Sequence, residues 1–338
     1  MKRTENGFVF SPTDLIQFVK SPFASWMQRH SWENGSPRPD VQSEEMALVA
    51  KTGDEHEQAV LQLYLADGVD VANIPKADPA VALDRQREAI AAQRAIVYQG
   101  AFQDDRFAGF SDFVILNEQG NYEIWDTKLA RSPRPYYAVQ LCCYAEMFKA
   151  TIGLPTPRHF GIILGSGEKV IYRTEDFIHY YHRVRSAFLA LMDGYDGDLA
   201  KRPEPVPGAD HGLWTSHANA FYAQTDHVIQ VANITSGQIK KLRNADVMTM
   251  TALAAVADGG IAKMQDDTLA GLRAQARLQC QTRDDRAQNA AAPARVEVLS
   301  YRGENGELTG LGALPPDDPA DVFFDMEGYP LAAGGLEY

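Results

Sequence analysis

Asp126 and Lys128 stand two residues apart in the run Tyr122 to Leu129, which reads as a β-strand. Side chains along a strand alternate between faces, so this carboxylate and this ammonium point the same way. Just upstream lies Gly109-Phe-Ser-Asp112, followed by the apolar, β-branched run Phe113 to Leu116 and the turn residues Asn117-Glu-Gln-Gly-Asn121. The two runs read as a β-hairpin. Asp112 on the first strand reaches the face that Asp126 and Lys128 share. Two carboxylates and a lysine converging on one sheet face suit a hard divalent cation with a charged helper beside it. They are a poor way to build a core, because unpaired buried charges are costly.

Further polar groups flank the hairpin. Gln140 and Tyr144 lie four apart in a predicted helix from about Tyr136 to Thr151, so they share one of its faces. His56, in Gly53-Asp-Glu-His56, lies in a predicted helix from about Ser43 to Ala66. Taken singly, each signal is weak: an Asp-x-Lys pair is usually a solvated face, and a lone helical histidine usually lies on the surface. Glu57 and Glu123 read as solvated charges.

Together, the blocks Gly53-x-x-His56, Gly109-x-x-Asp112, Asp126-Thr127-Lys128 and Gln140-x-x-x-Tyr144 stand in the order of the PD-(D/E)xK nucleases. The chain resembles their RecB-type branch in particular. The resemblance implies a metal-dependent phosphodiesterase. Its chemistry requires an activated water, a neutralised phosphate and a stabilised leaving oxyanion. His56, Asp112, Asp126 and the Thr127 backbone carbonyl would hold Mg2+ or Mn2+, and imidazole tilts the choice toward Mn2+. Lys128 would orient the water or offset phosphate charge. Gln140 and Tyr144 would contact substrate or hold Lys128 and the water in place. Arg131 and Arg134, just past the strand, would touch backbone phosphates or lie as plain surface arginines.

The chain also departs from the family pattern. Many RecB-type relatives hold an iron–sulfur cluster with one Cys before the nuclease core and three after it. Here those places carry Ser21 and the stretch Ala209-Asp-His-Gly-Leu-Trp-Thr-Ser-His-Ala218. Without thiolates, no iron–sulfur cluster is expected. His211 and His217, six apart without Cys, read as unligated.

Around these blocks the predicted elements alternate. Ser11-Pro-Thr-Asp14 carries the residues of a helix N-terminus, with Ser11 as cap and Pro12 in the first position. A second short helix starts at Ser21-Pro22, and after the helix that carries His56 a fourth runs from about Pro79 to Arg94. Strands are predicted over Ile96–Phe102, Phe107–Leu116, Tyr122–Leu129, Arg158–Leu164 and Lys169–Arg173, with a helix from Thr174 to Met192. This order predicts an α/β fold: a PD-(D/E)xK restriction-endonuclease-like core of mixed sheet flanked by helices, over residues 1–200. Residues 201–213 read as a linker. Residues 214–280 read as helical, with Val231 to Thr249 resembling a helix–hairpin–helix segment in which Asp246 stands at the usual glycine. Residues 281–295 read as a second linker, followed by strands Val296–Tyr301 and Asp321–Met326.

Asp321-Val-Phe-Phe-Asp325-Met-Glu327 resembles the first strand of an RNase H-like exonuclease domain, in which Asp325 and Glu327 would share a metal. Its remaining acidic motifs are missing, so 296–338 read as the first strands of a truncated domain and a second, truncated site. The arrangement resembles bacterial RecB-like nucleases whose longer members continue into a helicase.

Composition fits this reading. Over 338 residues the net charge is −13, which argues against a general polyanion binder. A nuclease remains compatible, because metals and local Lys or Arg can handle phosphates while the rest of the surface is acidic. Three cysteines give no disulfide framework, and neither a membrane span nor a secretory signal is expected, so the cytoplasm is the predicted compartment. The expected partner is DNA, with RNA as the alternative substrate. The expected role is repair, recombination or defence. The rival is a catalytically silent nucleic-acid-binding module on the same fold.

Overall fold

The computed structural model describes every residue except 5, 6, 77, 258, 299–302, 304, 326, 327, 330–335 and 338. It falls into two units, Met1–Ser216 and His217–Tyr338.

The first unit opens with a short antiparallel hairpin that the sequence reading did not anticipate, β1 (Lys2–Thr4) against β2 (Gly7–Val9). Helix α1 (Pro12–Lys20) starts where its cap residues predict. The Ser11 side chain accepts the Asp14 N–H, the Asp14 carboxylate accepts the Ser11 N–H, and Pro12 occupies the first turn. Ser21 ends α1 and caps α2 (Pro22–Asn34) through its side chain. Ser43 and Asp78 cap α3 (Glu44–Ala66) and α4 (Pro79–Ala91) in the same way. Between those helices lies β3 (Val71–Asn73).

Next come β4 (Ile96–Gln103), β5 (Ala108–Leu116) and β6 (Tyr122–Lys128), then α5 (Pro135–Ile152), β7 (His159–Leu164) and β8 (Lys169–Arg173). Strands β3 to β8 form one six-stranded sheet in chain order. The hairpin turns keep β4–β5–β6 antiparallel, whereas α5 crosses over the sheet so that β7 runs parallel to β6. The edge strand β3 is parallel to β4, and β8 is antiparallel to β7. The predicted helix from Thr174 splits into a 3-10 turn, Thr174–Asp176, and α6 (Ile178–Asp193).

The sheet is covered on both faces, and strand alternation decides which residue goes where. Val97, Val114, Ile124, Phe160 and Ile162 pack under α1, α4, α5 and α6. Ile96, Tyr98, Phe113, Trp125 and Ile163 pack under Val60 and Leu61 of α3. On that second face the Trp125 indole lies directly over its register partner Gly161, where an added Cβ would come within 2.3 Å of the ring. Gly161 thus serves a close approach.

The second unit contains most of α7 (Thr215–Gln224), with α8 (Ser236–Arg243), α9 (Met250–Ala254) and α10 (Asp266–Gln288) around a core that includes Val228, Leu242, Leu253 and Leu269. The expected continuous helical character is broken by turns at the left-handed residues Asp226, Asn233, Asp246 and Lys263. Asp246 adopts φ +57° in the turn before α9, a conformation Asp tolerates better than most residues.

The two strands expected near the C-terminus do not form over residues 296–298 and 321–325, and the rest of each lies outside the described residues. Val296, Val298, Val322, Phe323 and Phe324 are exposed. An extended run becomes a strand only when a neighbouring ladder satisfies its backbone. Among the described residues, no helix is long and apolar enough to cross a membrane.

Candidate active site

The β5–β6 ladder pairs Val114 with Ile124 and Phe113 with Trp125. One further step along that register sets Asp112 against Asp126. Both aspartates and Lys128 alternate onto the face of Val114 and Ile124, beneath α5. The structure therefore brings the three predicted sheet residues together. Asp112 Oδ2 accepts two bonds from Thr127, from its N–H at 2.6 Å and its hydroxyl at 2.7 Å. The Lys128 ammonium is ion-paired with Asp126 Oδ2. The site is recessed, with the side chains of Asp126 and Lys128 only 3% and 21% exposed.

The neighbouring strand is interrupted at the same level. The β4–β5 ladder pairs Tyr98 with Phe113 and Gly100 with Ser111, skipping the Gln99–Asp112 step, and Gln99 has φ +55°. A non-glycine residue in this region costs on the order of 1 kcal/mol or more, and such strain gathers at functional sites.

Electrostatics ties these groups into one unit. Burial pushes the Asp112 carboxyl well above its usual range, and the charges of Asp126 and Glu57 push it further, against the Thr127 bonds and Lys128. For Lys128 burial disfavours the ammonium, but Asp126, Asp112 and Glu57 outweigh it and raise its pKa. Lys128 is thus a held cation and a poor general base.

Glu57 is the residue that sequence reasoning missed. It reads as a solvated charge, yet in α3 it is half-buried. Its Oε1 accepts from the Tyr98 hydroxyl at 2.6 Å and from the Gln99 side-chain amide. Its charge is felt at both Asp112 and Lys128. His56, the predicted ligand, is half-buried one position earlier, and its Nε2 is buried without a hydrogen-bond partner. Successive helical residues point about 100° apart, so the two side chains cannot serve the same spot equally. Glu123 is also far from solvated. It is buried on β6 and accepts from Asn117 at 2.9 Å and Trp125 at 3.2 Å.

Helix α5 roofs the site. Gln140 and Tyr144 are buried, as their shared face requires. The Tyr144 hydroxyl donates to the Phe110 carbonyl at 2.6 Å. This ring sits against Gly109, where an added Cβ would crowd Pro12 at 3.0 Å and Tyr144 at 3.3 Å. Burial, then the charges of Asp126 and Asp112, hold the Tyr144 phenol well above its ordinary pKa. Gln140 Oε1 is buried without a hydrogen-bond partner. In the first turn of α5, Tyr137 lies with its ring centroid 5.4 Å from Lys128 Nζ.

The donor chemistry fits a hard divalent cation. The charges of Asp126 and Glu57 both bear on the recessed Asp112 carboxyl, and His56 Nε2 and Gln140 Oε1 lack partners. The side-chain placement is less complete. Among the described residues, no three His, Cys, Asp or Glu side chains already form a cation cage. Lys128 engages Asp126 and Thr127 engages Asp112, so a cation would have to displace or supplement those contacts.

The other predicted residues lie apart from this cluster. Arg131 and Arg134 are exposed in the loop before α5. Asp325 is exposed in the second unit, outside any strand, and Glu327 lies outside the described residues. Ser21 and His211, from the two stretches where the expected family pattern would place cysteines, are both buried, with Ser21 Oγ 2.8 Å from His211 Nδ1.

No family model matches the chain, and no curated protein matches it. Among solved structures it is similar to one titled "Crystal structure of SSO0001", at 13% identity and TM-score 0.21, covering 49% of this chain and 84% of that one.

Proposed function

We propose that this chain is a metal-dependent nuclease of the RecB-like PD-(D/E)xK type that hydrolyses DNA phosphodiester bonds. The observation that carries the reading is the convergence of Asp112, Asp126 and Lys128 on one recessed sheet face under Gln140 and Tyr144. The run of three antiparallel strands, a crossover helix and a parallel fourth strand fits the core of that fold. Asp112 and Asp126 would hold Mg2+ or Mn2+, with Glu57 or His56 completing the set from α3. A bound cation would acidify water and neutralise phosphate charge. Lys128, kept charged by its acidic neighbours, donates hydrogen bonds to a phosphate oxygen or to the attacking water. Tyr144, held protonated, braces β5 through Phe110. No iron–sulfur cluster is part of this proposal.

A second reading is a catalytically silent nucleic-acid-binding module. The Lys128–Asp126 ion pair favours it, because that pair engages a lone pair a cation would need. Labelled single- and double-stranded DNA and RNA, incubated with Mn2+, Mg2+ or EDTA, separate the two. The nuclease reading expects cleavage that requires the cation and is lost in Asp126→Ala. Cleavage by Asp126→Ala at the wild-type rate would refute the site, and binding without cleavage under every condition would favour the silent module.

A further inference from the structure

Two side chains of β4 converge on one carboxylate oxygen of α3. The Tyr98 hydroxyl donates to Glu57 Oε1 at 2.6 Å, and the Gln99 side-chain amide donates to the same atom. The hydroxyl in turn accepts from the Gln58 amide at 2.6 Å, so the chain of bonds runs one way, from Gln58 through Tyr98 to Glu57. Tyr98 and Gln99 are both buried. The Tyr98 ring packs on Phe113, its register partner on β5, with centroids 5.3 Å apart. Phe113 directly follows Asp112, so the donor to Glu57 is anchored on the strand that carries the first carboxylate.

Adjacent residues of a regular strand point to opposite faces, so Tyr98 and Gln99 should not reach one atom. They do so because Gln99 leaves the strand conformation, with φ +55°, at the step where the β4–β5 ladder skips Asp112. That conformation is costly for any residue with a side chain. The contact with Glu57 is what the strained backbone makes possible. A carboxylate oxygen has two lone pairs, and both of those on Oε1 are taken, which leaves Oε2 as the atom of Glu57 with capacity to spare.

We infer that Tyr98 and Gln99 are positioning residues that fix Glu57 through Oε1 and leave its other oxygen for the cation. The inference rests on the proposed nuclease reading, commits the α3 contribution to Glu57, and adds what sets the cation affinity. Glu57 already bears electrostatically on Asp112 and Lys128. A glutamate held in one rotamer before a cation arrives loses less freedom on binding it. Outer partners of this kind are worth about 10- to 100-fold in metal affinity.

The test measures Mn2+ binding to the full chain by titration calorimetry, without nucleic acid, and Asp126→Ala identifies the heat that belongs to this site. Tyr98→Phe removes only the hydroxyl and should weaken Mn2+ binding about 10-fold. Gln99→Gly removes the amide while tolerating the left-handed backbone, and should weaken it in the same direction. Both losses should vanish in a Glu57→Ala background, because a residue that acts through Glu57 has nothing to act on there. A merely structural role would carry the loss into that background. Tyr98→Phe and Gln99→Gly proteins that bind Mn2+ as tightly as wild type, or lose as much with Glu57 absent as with it present, overturn the inference. Cleavage assays in Mn2+ keep the two readings apart. A wild type that binds Mn2+ through Glu57 and Tyr98 but never cuts retains the positioning role and refutes the nuclease. A wild type that cuts, with Tyr98→Phe and Gln99→Gly binding Mn2+ equally well, does the reverse. A wild type that binds no Mn2+ at Asp126 overturns both.

Discussion

Ser21 Oγ and His211 Nδ1 lie 2.8 Å apart although the residues are 190 positions apart in sequence, and both side chains are buried. The contact joins the start of α2 to the segment that closes the first unit. Lys20 and Asp210, one residue back on each side, form a salt bridge beside it. Ser21 Oγ also accepts the Ala24 N–H, so one hydroxyl serves as both helix cap and clasp. Ser21→Ala removes the cap and strips the buried His211 Nδ1 of its side-chain partner. A loss of about 1 to 3 kcal/mol is expected, read from denaturant midpoints. An unchanged midpoint would show that the clasp contributes nothing.

The same imidazole sets a pH dependence. Burial lowers the His211 pKa from 6.5, while the Val206 backbone and Asp210 pull the other way, and burial also lowers that of His30. The folded state then binds fewer protons than the unfolded state once the pH falls below about 6.5, so folding weakens as pH falls through that range. These two histidines therefore pull the melting temperature down on acidification from pH 7, against the opposite pull of Asp112, whose raised pKa favours the folded state as it protonates. The drop should be smaller in His211→Gln. An equal drop in that variant would assign the effect to other groups.

Much of this site was legible in the sequence because it depends on short-range rules. Period-two alternation puts Asp112, Asp126 and Lys128 on one face, and the Asn117–Asn121 turn sets their register. Ser11 and Asp14 announce the start of α1 for the same local reason. What stayed hidden depends on partners distant in the chain. Glu57 looks like any solvated helical glutamate until Tyr98 and Gln99 are brought to it. Gly161 looks like a strand weakness until Trp125 lies over it. The edge strand β3 is only three residues long and takes its identity from β4. The expected strand at Asp321 failed for the converse reason: its apolar pattern is right, but no ladder pairs with residues 321–325.

Crowded, recessed carboxylates should cost stability. Asp112 is desolvated and repelled by Asp126 and Glu57. Asp112→Asn removes the charge yet keeps an oxygen to accept the two Thr127 bonds. At neutral pH the variant should be more stable than wild type, because burial and the neighbouring charges disfavour the Asp112 carboxylate, while losing cleavage. Calorimetry and the nuclease assay check the two halves. A lower melting temperature would mean that the Thr127 bonds outweigh the repulsion.

In the proposed nuclease either Glu57 or His56 would supply the α3 contribution to the site, and substitution can decide between them. Glu57 accepts from Tyr98 and Gln99, and its charge reaches Asp112 and Lys128, whereas His56 Nε2 is buried without a partner. Glu57→Gln keeps the size and an acceptor oxygen for the Tyr98 hydroxyl, so the fold should survive with a melting temperature near wild type. It removes one negative charge from the cluster, so cation-dependent cleavage should fall at least about 10-fold, with more Mn2+ needed for half-maximal rate; this corresponds to about 1.4 kcal/mol. Glu57→Ala should lose stability as well, because the Tyr98 hydroxyl loses its acceptor. His56→Ala should then have the smaller effect on the Mn2+ requirement. If His56→Ala instead abolishes cleavage while Glu57→Gln cuts at the wild-type rate, the histidine is the α3 ligand. Glu57 would then be a structural brace that holds Tyr98 and the left-handed Gln99 in place beside Asp112.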